Sequence, residues 1–142
     1  IMGDSGTELQ QLVDVLPQYE DQIRYWESQL EAISNVRADV RQAQETLNGM
    51  LDSDKEMEMM VPVGHNTSIF TTVRDPDRIL VGLGSRVYME ATRADSLERL
   101  SKRLEGLEKA GKTYQENLSK SQKDYVALRE RADYLNSNPE AK

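Results

Sequence analysis

His65 is the first residue to weigh as a catalytic group, because it is the only histidine of the chain. It lies between Gly64 and Asn66, two residues that are typical of a turn. No serine or cysteine partner of the catalytic type lies near it in the sequence, and a general base must reach the group that it deprotonates. The sequence therefore predicts a turn histidine rather than a catalytic one.

Acidic residues alternate from Asp52 to Glu58, a spacing that could supply calcium ligands. The calcium-binding loop needs a glycine at its sixth position and a carboxylate at its twelfth. Met57 and Val63 occupy those two positions, and neither meets the requirement. We therefore interpret the acidic run as the solvated end of a helix and predict no metal site.

A pair of glycines, Gly82 and Gly84, begins the pattern that binds dinucleotide phosphates. That pattern needs a third glycine at the position of Val87 and must open a helix, whereas this segment leads into a strand. Glycines at a hairpin corner or bulge explain the pair without a ligand. We predict no cofactor and no enzyme activity.

Composition excludes further classes of function. With 142 residues, 37% hydrophobic and only 6% aromatic, the chain is not expected to form a thick globular core. A formal net charge of -7 disfavours nucleic acid or an anionic membrane as the main partner. No stretch approaches 18 apolar residues, and the first residues lack the cationic and then apolar order of a secretion signal. A cytosolic protein without cysteine chemistry is therefore expected.

An apolar seam with spacings of three and four residues predicts a first helix over residues 8–52. Past Ile33 the strict register meets Arg37, so we expect the seam to continue from Val36 after a local phase slip. Pro17 lacks an N–H and clashes inside a continuing helix, so residues 8–16 are expected to form a separate, kinked or frayed turn. The seam residues are Leu9, Leu12, Leu16, Tyr19, Ile23, Trp26, Leu30, Ile33, Val36, Val40, Ala43, Leu47 and Met50.

The same spacing predicts a second helix over residues 93–136. Thr92 and Asp95, three residues apart, are typical of a helix start, and Pro139 follows the end. Gly111 and Ser121 thin the seam, so the distal half of this helix is expected to be less stable. The seam residues are Leu97, Leu100, Leu104, Leu107, Gly111, Tyr114, Leu118, Ser121, Tyr125, Leu128, Ala132 and Leu135.

Two helices of nearly equal length, joined by a short middle segment, are expected to pair along their whole extent. Each is roughly 65 Å long at about 1.5 Å per residue, and neither can bury its narrow seam alone. The sequence therefore predicts a mainly α protein with a small β part. Its expected fold is a long antiparallel α-helical coiled coil with two central β-hairpins, in one domain over residues 1–142.

The middle segment, residues 57–90, changes to the alternating period of strands. Turn clusters divide it into strands at 57–63, 67–73, 79–83 and 86–90, which predicts two successive hairpins. Such hairpins are marginal alone and leave open edges, so we expect them to assemble with other subunits. The residues expected to carry assembly are Val61, Val63, Ile69, Val73, Ile79, Val81, Val87 and Met89. The strand methionines Met57, Met59, Met60 and Met89 are interpreted as filling of a β core.

The helix ends far from the hairpins carry apolar residues that could bind other apolar chains. They become exposed if the two helices separate there, whereas a frayed terminus explains the same pattern without a function. Both interpretations stay open. The candidate client-binding residues are Leu9, Leu12, Val13, Leu16, Tyr134 and Leu135.

The middle segment resembles the α-type subunits of the prefoldin family, which are ATP-independent chaperone subunits. The resemblance is carried by residues 61–64, 75–81, 82–84 and 87–90. The order of helix, two hairpins and helix covers almost the whole chain. Four strands are similar to the α-type, because the β-type subunit has one hairpin. Pro17 departs from the usual uninterrupted first helix of the family.

The resemblance implies a hexamer of two α-type and four β-type subunits, whose hairpins form a platform that carries six coiled coils. It also implies that the coil tips bind unfolded proteins and pass them to a group II chaperonin in archaeal or eukaryotic cytosol. A structural coiled-coil spacer without client binding is the alternative. An enzyme or a nucleic-acid-binding arm is a third interpretation, which the sequence supports less than the other two.

Overall fold

The computed structural model describes residues 4–50 and 56–140, which form two long helices with four strands between them. The elements are α1 (Asp4–Gly49), β1 (Met57–Gly64), β2 (Thr67–Val73), β3 (Ile79–Gly84), β4 (Val87–Ala91) and α2 (Arg93–Ser137). The predicted order of helix, two hairpins and helix is confirmed. The predicted end of the first helix at Asp52, together with Asp52 and Asp54 of the acidic run, lies outside the described residues. Glu58 lies in β1, so the interpretation of the run as the end of a helix is wrong for this residue.

The chain divides into two compact units. The helix-pair unit comprises Ile1–Asn35 and Leu107–Lys142, and the hairpin unit comprises Val36–Gly106. The single domain over residues 1–142 stays a prediction.

Helix α1 continues through Pro17 without a break, so a separate turn over residues 8–16 is wrong, whereas a kink or fraying there stays a prediction. Proline removes one backbone hydrogen bond from a helix interior, but the seam residues on either side of it, such as Leu16 and Tyr19, are half-buried. Most helix stability in proteins comes from packing of an apolar face rather than from intrinsic preference. Packing therefore outweighs the local penalty at this position.

The predicted phase slip after Ile33 is wrong at Val36, whereas Ala43 and Met50, which the slip also places on the seam, are half-buried and 7% exposed. Val36 is 37% exposed, whereas Arg37 is half-buried and Val40 is only 8% exposed. The strict register therefore continues through Arg37, whose aliphatic stem can cover apolar surface while its charge stays in water. Farther along the same register, Gln44 donates a hydrogen bond to the Ser101 hydroxyl of α2 at 3.2 Å.

In the helix-pair unit the two helices run antiparallel, because partners of rising number on α1 meet falling numbers on α2. Glu8 pairs with Arg131, Glu20 accepts a hydrogen bond from the Tyr125 hydroxyl at 2.9 Å, and the Trp26 ring lies 5.3 Å from the Tyr114 ring. Every predicted seam residue of α2 in this unit is half-buried or buried. The buried apolar residues here are Leu107, Leu118, Ala132 and Leu135.

The start of α2 is capped by Thr92, as the sequence predicts. The Thr92 hydroxyl accepts a hydrogen bond from the Asp95 backbone N–H at 3.2 Å, and the Thr92 carbonyl accepts one from the Ser96 hydroxyl at 2.8 Å. Ser96 is buried. These bonds satisfy polar groups that a helix start otherwise leaves without partners.

Strands β1 and β2 form one antiparallel hairpin, and β3 and β4 form a second one. Each closes through a two-residue turn whose central residues all have positive φ: His65 and Asn66 in the first, Ser85 and Arg86 in the second. Positive φ at both central residues is what the type I′ hairpin turn requires. In both hairpins the register shifts at the glycine before the turn, as interpreted for Gly84 from the sequence.

Gly111→Ala is expected to raise the free energy of unfolding by about 1 kcal/mol, because alanine is the better helix former. A Cβ at this position would lie 3.8 Å from Ile33 Cγ2, an ordinary contact. Thermal unfolding followed by circular dichroism measures the change. Gly84→Ala is the opposite control, since the φ of +95° at Gly84 strains any side chain there and should lower the melting temperature. A lower melting temperature for Gly111→Ala would contradict the interpretation that Gly111 destabilises α2.

Candidate functional site

The start of α1 and the end of α2 are joined by one ion pair in the helix-pair unit. Arg131 donates two hydrogen bonds to the Glu8 carboxylate, at 2.9 and 3.3 Å, and its guanidinium lies 5.5 Å from the centre of the Tyr134 ring. A paired fork of this kind fixes direction as well as distance. The two helix ends that carry the candidate client-binding residues therefore lie side by side.

The six candidate client-binding residues occupy two different environments. Val13 and Tyr134 are exposed, at 49% and 51%. Leu9, Leu12 and Leu16 are half-buried on the seam. Leu135 is only 2% exposed, so it can meet a client only where the helices separate. The set stays a prediction, and Val13 and Tyr134 are its two exposed members.

Two other exposed apolar residues of this unit, Tyr25 and Val126, were missed by the sequence reasoning. Tyr25 directly precedes the seam residue Trp26, and Val126 directly follows the seam residue Tyr125. The Tyr25 ring contacts the Trp26 ring edge-on, with 4.9 Å between the ring centres. Neighbouring side chains on an α-helix point about 100° apart, so a residue next to a seam position can face solvent. An apolar residue directly beside a seam position was the sequence signal that could have indicated these two exposed residues.

The pKa of Glu8 lies below its ordinary value of 4.5, first because Arg131 donates hydrogen bonds to it and also because of that cation's charge. A lowered pKa in the folded state means that the pair contributes stability above pH 4.5 and loses it as the pH falls through the lowered value. We therefore expect Glu8→Gln to lower the melting temperature at pH 7.

The same Glu8→Gln variant should melt together with the native chain at a pH well below the pKa of Glu8, where the carboxyl is protonated in both states. Thermal unfolding across the acid range measures this convergence. A difference in melting temperature that stays constant over the whole range would contradict a stabilising ion pair.

The hairpin residues expected to carry assembly lie on one face of each hairpin. Val61 pairs directly with Ile69, and Val81 pairs with Met89, and directly opposed residues in an antiparallel pair share a face. Val61, Val63, Ile69 and Val87 are exposed, whereas Val73, Ile79, Val81 and Met89 are half-buried. Their part in assembly stays a prediction.

The opposite face of each hairpin is the more exposed one, and the sequence reasoning missed it. Met60 pairs with Phe70 across the first hairpin, and Leu80 and Tyr88 occupy the alternate positions of the second. These four residues, here called the outer hairpin face, are between 63% and 74% exposed. The interpretation of the methionines as β-core filling is therefore wrong for Met60, while Met57, Met59 and Met89 are half-buried.

Strand β3 also borders a groove of about 600 Å³ in the hairpin unit, lined by apolar residues of both helices such as Ala43, Leu47 and Leu100. Each hairpin is a two-stranded sheet, so its outer edges keep backbone groups that another strand could pair with. Large exposed apolar residues, open edges and an apolar groove thus occur together in this unit. Such surfaces are typical of protein interfaces.

The residues first weighed for chemistry form no reaction centre in the part of the chain that the structure describes. His65 is an exposed turn residue. Gly82 lies under the Tyr88 ring, whose Cε1 would be 3.4 Å from a Cβ. Among residues 4–50 and 56–140, no three acidic or histidine side chains gather as a metal would require. Over the same ranges, no helix has the length and apolarity needed to cross a membrane.

The sequence of this chain is similar to those of known proteins. A family model described as Prefoldin, prefoldin subunit, matches residues 19–136. Prefoldin subunit alpha of Methanoregula boonei is 30% identical over 113 residues, which cover 80% of this chain and 73% of that protein. Prefoldin subunit alpha of Methanospirillum hungatei is 25% identical over 128 residues, covering 90% and 85% respectively.

A solved structure has the same fold. A chain of the cryo-EM structure of filamentous PFD from Methanocaldococcus jannaschii superposes with a TM-score of 0.70 at 17% identity. The match covers 81% of this chain and 95% of that chain. At this level of identity the likeness concerns the fold alone.

Proposed function

The chain belongs to the prefoldin family and is a chaperone-type subunit, and we propose that it is a holdase that binds unfolded proteins without ATP. The observation that carries the proposal is the exposure of Val13 and Tyr134 at the joined ends of α1 and α2. Unfolded chains expose apolar side chains, and exposed apolar surface at a helix end can cover them.

Binding is proposed to be physical rather than chemical. Burial of apolar surface contributes about 25 cal/mol per Å², so the few side chains of one helix-pair end bind a client weakly. Several such ends that act on one client raise the affinity through effective concentration. This proposed mechanism uses neither a nucleotide nor a cofactor. The cytosol is the proposed location of the protein.

The hairpin unit is proposed to join this chain to β-type subunits, in a complex of two α-type and four β-type subunits. The exposed pair of Met60 and Phe70 supports this proposal, because an isolated hairpin with such residues in water is marginal. Delivery of the client to a group II chaperonin is proposed as the following step.

A light-scattering assay tests the holdase. The chain assembled with a β-type subunit should suppress scattering from a client diluted out of denaturant, with no nucleotide present. Bovine serum albumin at equal mass controls for crowding of the solution. Unchanged scattering at one complex per client would overturn the proposal.

A structural spacer that assembles other proteins without binding clients is the second candidate. The burial of Leu135 favours it, because a tightly packed helix end offers less surface to a client. Removal of residues 1–16 and 134–142 separates the two functions. A holdase should then lose suppression of scattering, whereas a spacer should keep its assembly and never suppress scattering.

A further inference from the structure

The two helices of the helix-pair unit carry very different charge. Residues 6–35 of α1 include six acidic side chains and a single cation, Arg24, whereas residues 107–137 of α2 include five acidic side chains and six cations. The acidic residues are Glu8, Asp14, Glu20, Asp21, Glu27 and Glu31. The negative charge of this unit is therefore carried by α1.

Four of these acidic side chains have a partner within the unit, and one of them is Asp14, which accepts a hydrogen bond from the Gln10 side-chain amide at 2.9 Å. Glu8 pairs with Arg131, Glu20 accepts from the Tyr125 hydroxyl, and Asp21 pairs with Arg24. Asp14, Glu27 and Glu31 are exposed and form no salt bridge with any residue between 4 and 50 or 56 and 140, so no cation neutralises them there. Their charge is available to a ligand.

The exposed apolar residues of α1 lie among these acids. Asp14 directly follows Val13, and Tyr25 stands one helical turn after Asp21 and two residues before Glu27. Val13 and Tyr25 are about half exposed. A ligand that covers these apolar side chains must therefore also approach uncompensated carboxylates, which attract cations and repel other anions within about 10 Å at ordinary ionic strength.

We propose that α1 selects unfolded segments in which apolar residues alternate with lysine or arginine, and disfavours segments in which they alternate with acidic residues. This inference rests on the proposed client binding and names the class of client. The apolar side chains provide the contact area. The carboxylates Asp14, Glu27 and Glu31 make binding stronger for basic segments than for acidic segments of equal apolar area.

Two fluorescent peptides with the same apolar residues, interleaved with either lysine or glutamate, test this preference by anisotropy with the full complex. The lysine peptide should bind about tenfold more tightly at about 0.05 M salt, since each exposed charge pair contributes modestly. The preference should largely disappear at about 0.5 M salt, where screening is strong.

The variant Asp14→Asn/Glu27→Gln/Glu31→Gln should lose most of the preference while its affinity for the glutamate peptide stays the same or rises. Asp39→Asn/Glu45→Gln/Glu105→Gln is the matched control, because it removes three exposed charges from the hairpin unit. It should keep the preference.

Equal affinity for the two peptides, or a preference that survives the first triple variant, would overturn the charge selection while leaving client binding intact. Failure of the complex to bind either peptide would instead refute the proposed client binding itself, and the selection with it.

Discussion

A complex whose α-type chain carries Val13→Ser and Tyr134→Ser is expected to bind unfolded clients about tenfold more weakly. Both side chains are about half exposed, so serine removes apolar contact area without opening a cavity in the seam. Because several coil ends are proposed to act on one client, loss at some of them should weaken the total avidity rather than abolish it. The concentration of complex that halves client scattering measures the effect.

The matched control is Val13→Leu with Tyr134→Phe, which keeps the apolar area and should keep the activity. Circular dichroism and the fluorescence of Trp26, the only tryptophan of the chain, check that the helix pair is intact. Trp26 suits this purpose because its ring lies 5.3 Å from that of Tyr114 across the pair. Full activity of the serine variant would exclude these two residues from client binding.

Replacing Met60 and Phe70 with serine is expected to weaken assembly with a β-type subunit strongly. These residues pair across the first hairpin and are 64% and 74% exposed. Full burial of each such side chain contributes about 1.5–3 kcal/mol, so the double variant should assemble at least about a hundredfold more weakly. Native mass spectrometry over a range of concentrations measures the loss.

The serine variant of Val13 and Tyr134 is the assembly control, because its changes lie in the helix-pair unit. It should form the same complex as the native chain. If the Met60/Phe70 variant assembled at native concentrations, the outer hairpin face would not be the assembly surface.

The fold was largely predictable because two periods alternate along the chain. Spacings of three and four residues mark the helices, and alternation marks the strands. Arg37 and Pro17 show where this reasoning fails. It treats arginine as polar, although the stem of Arg37 can lie on the seam, and it treats proline as a break, although packing along the whole helix pair outweighs one lost hydrogen bond.

The candidate surfaces were less predictable, because exposure depends on small differences in position. Leu135 and Tyr134 are neighbours in the sequence, yet the first is buried and the second exposed. The outer hairpin face was missed because a strand was assumed to have one apolar face. Met60 and Phe70 lie on the face that also carries Glu58 and Thr72, so the alternation of these strands does not mark them as a second apolar face.

Photo-crosslinking tests most directly whether clients bind at the helix ends of this chain. A photoreactive residue is placed at position 13, at position 134 or, as a control, at position 105, and the complex is irradiated with an unfolded client. Positions 13 and 134 should give client adducts, and position 105, in the hairpin unit, should give few. Equal adducts at all three positions, or adducts at position 105 alone, would contradict client binding at the helix ends.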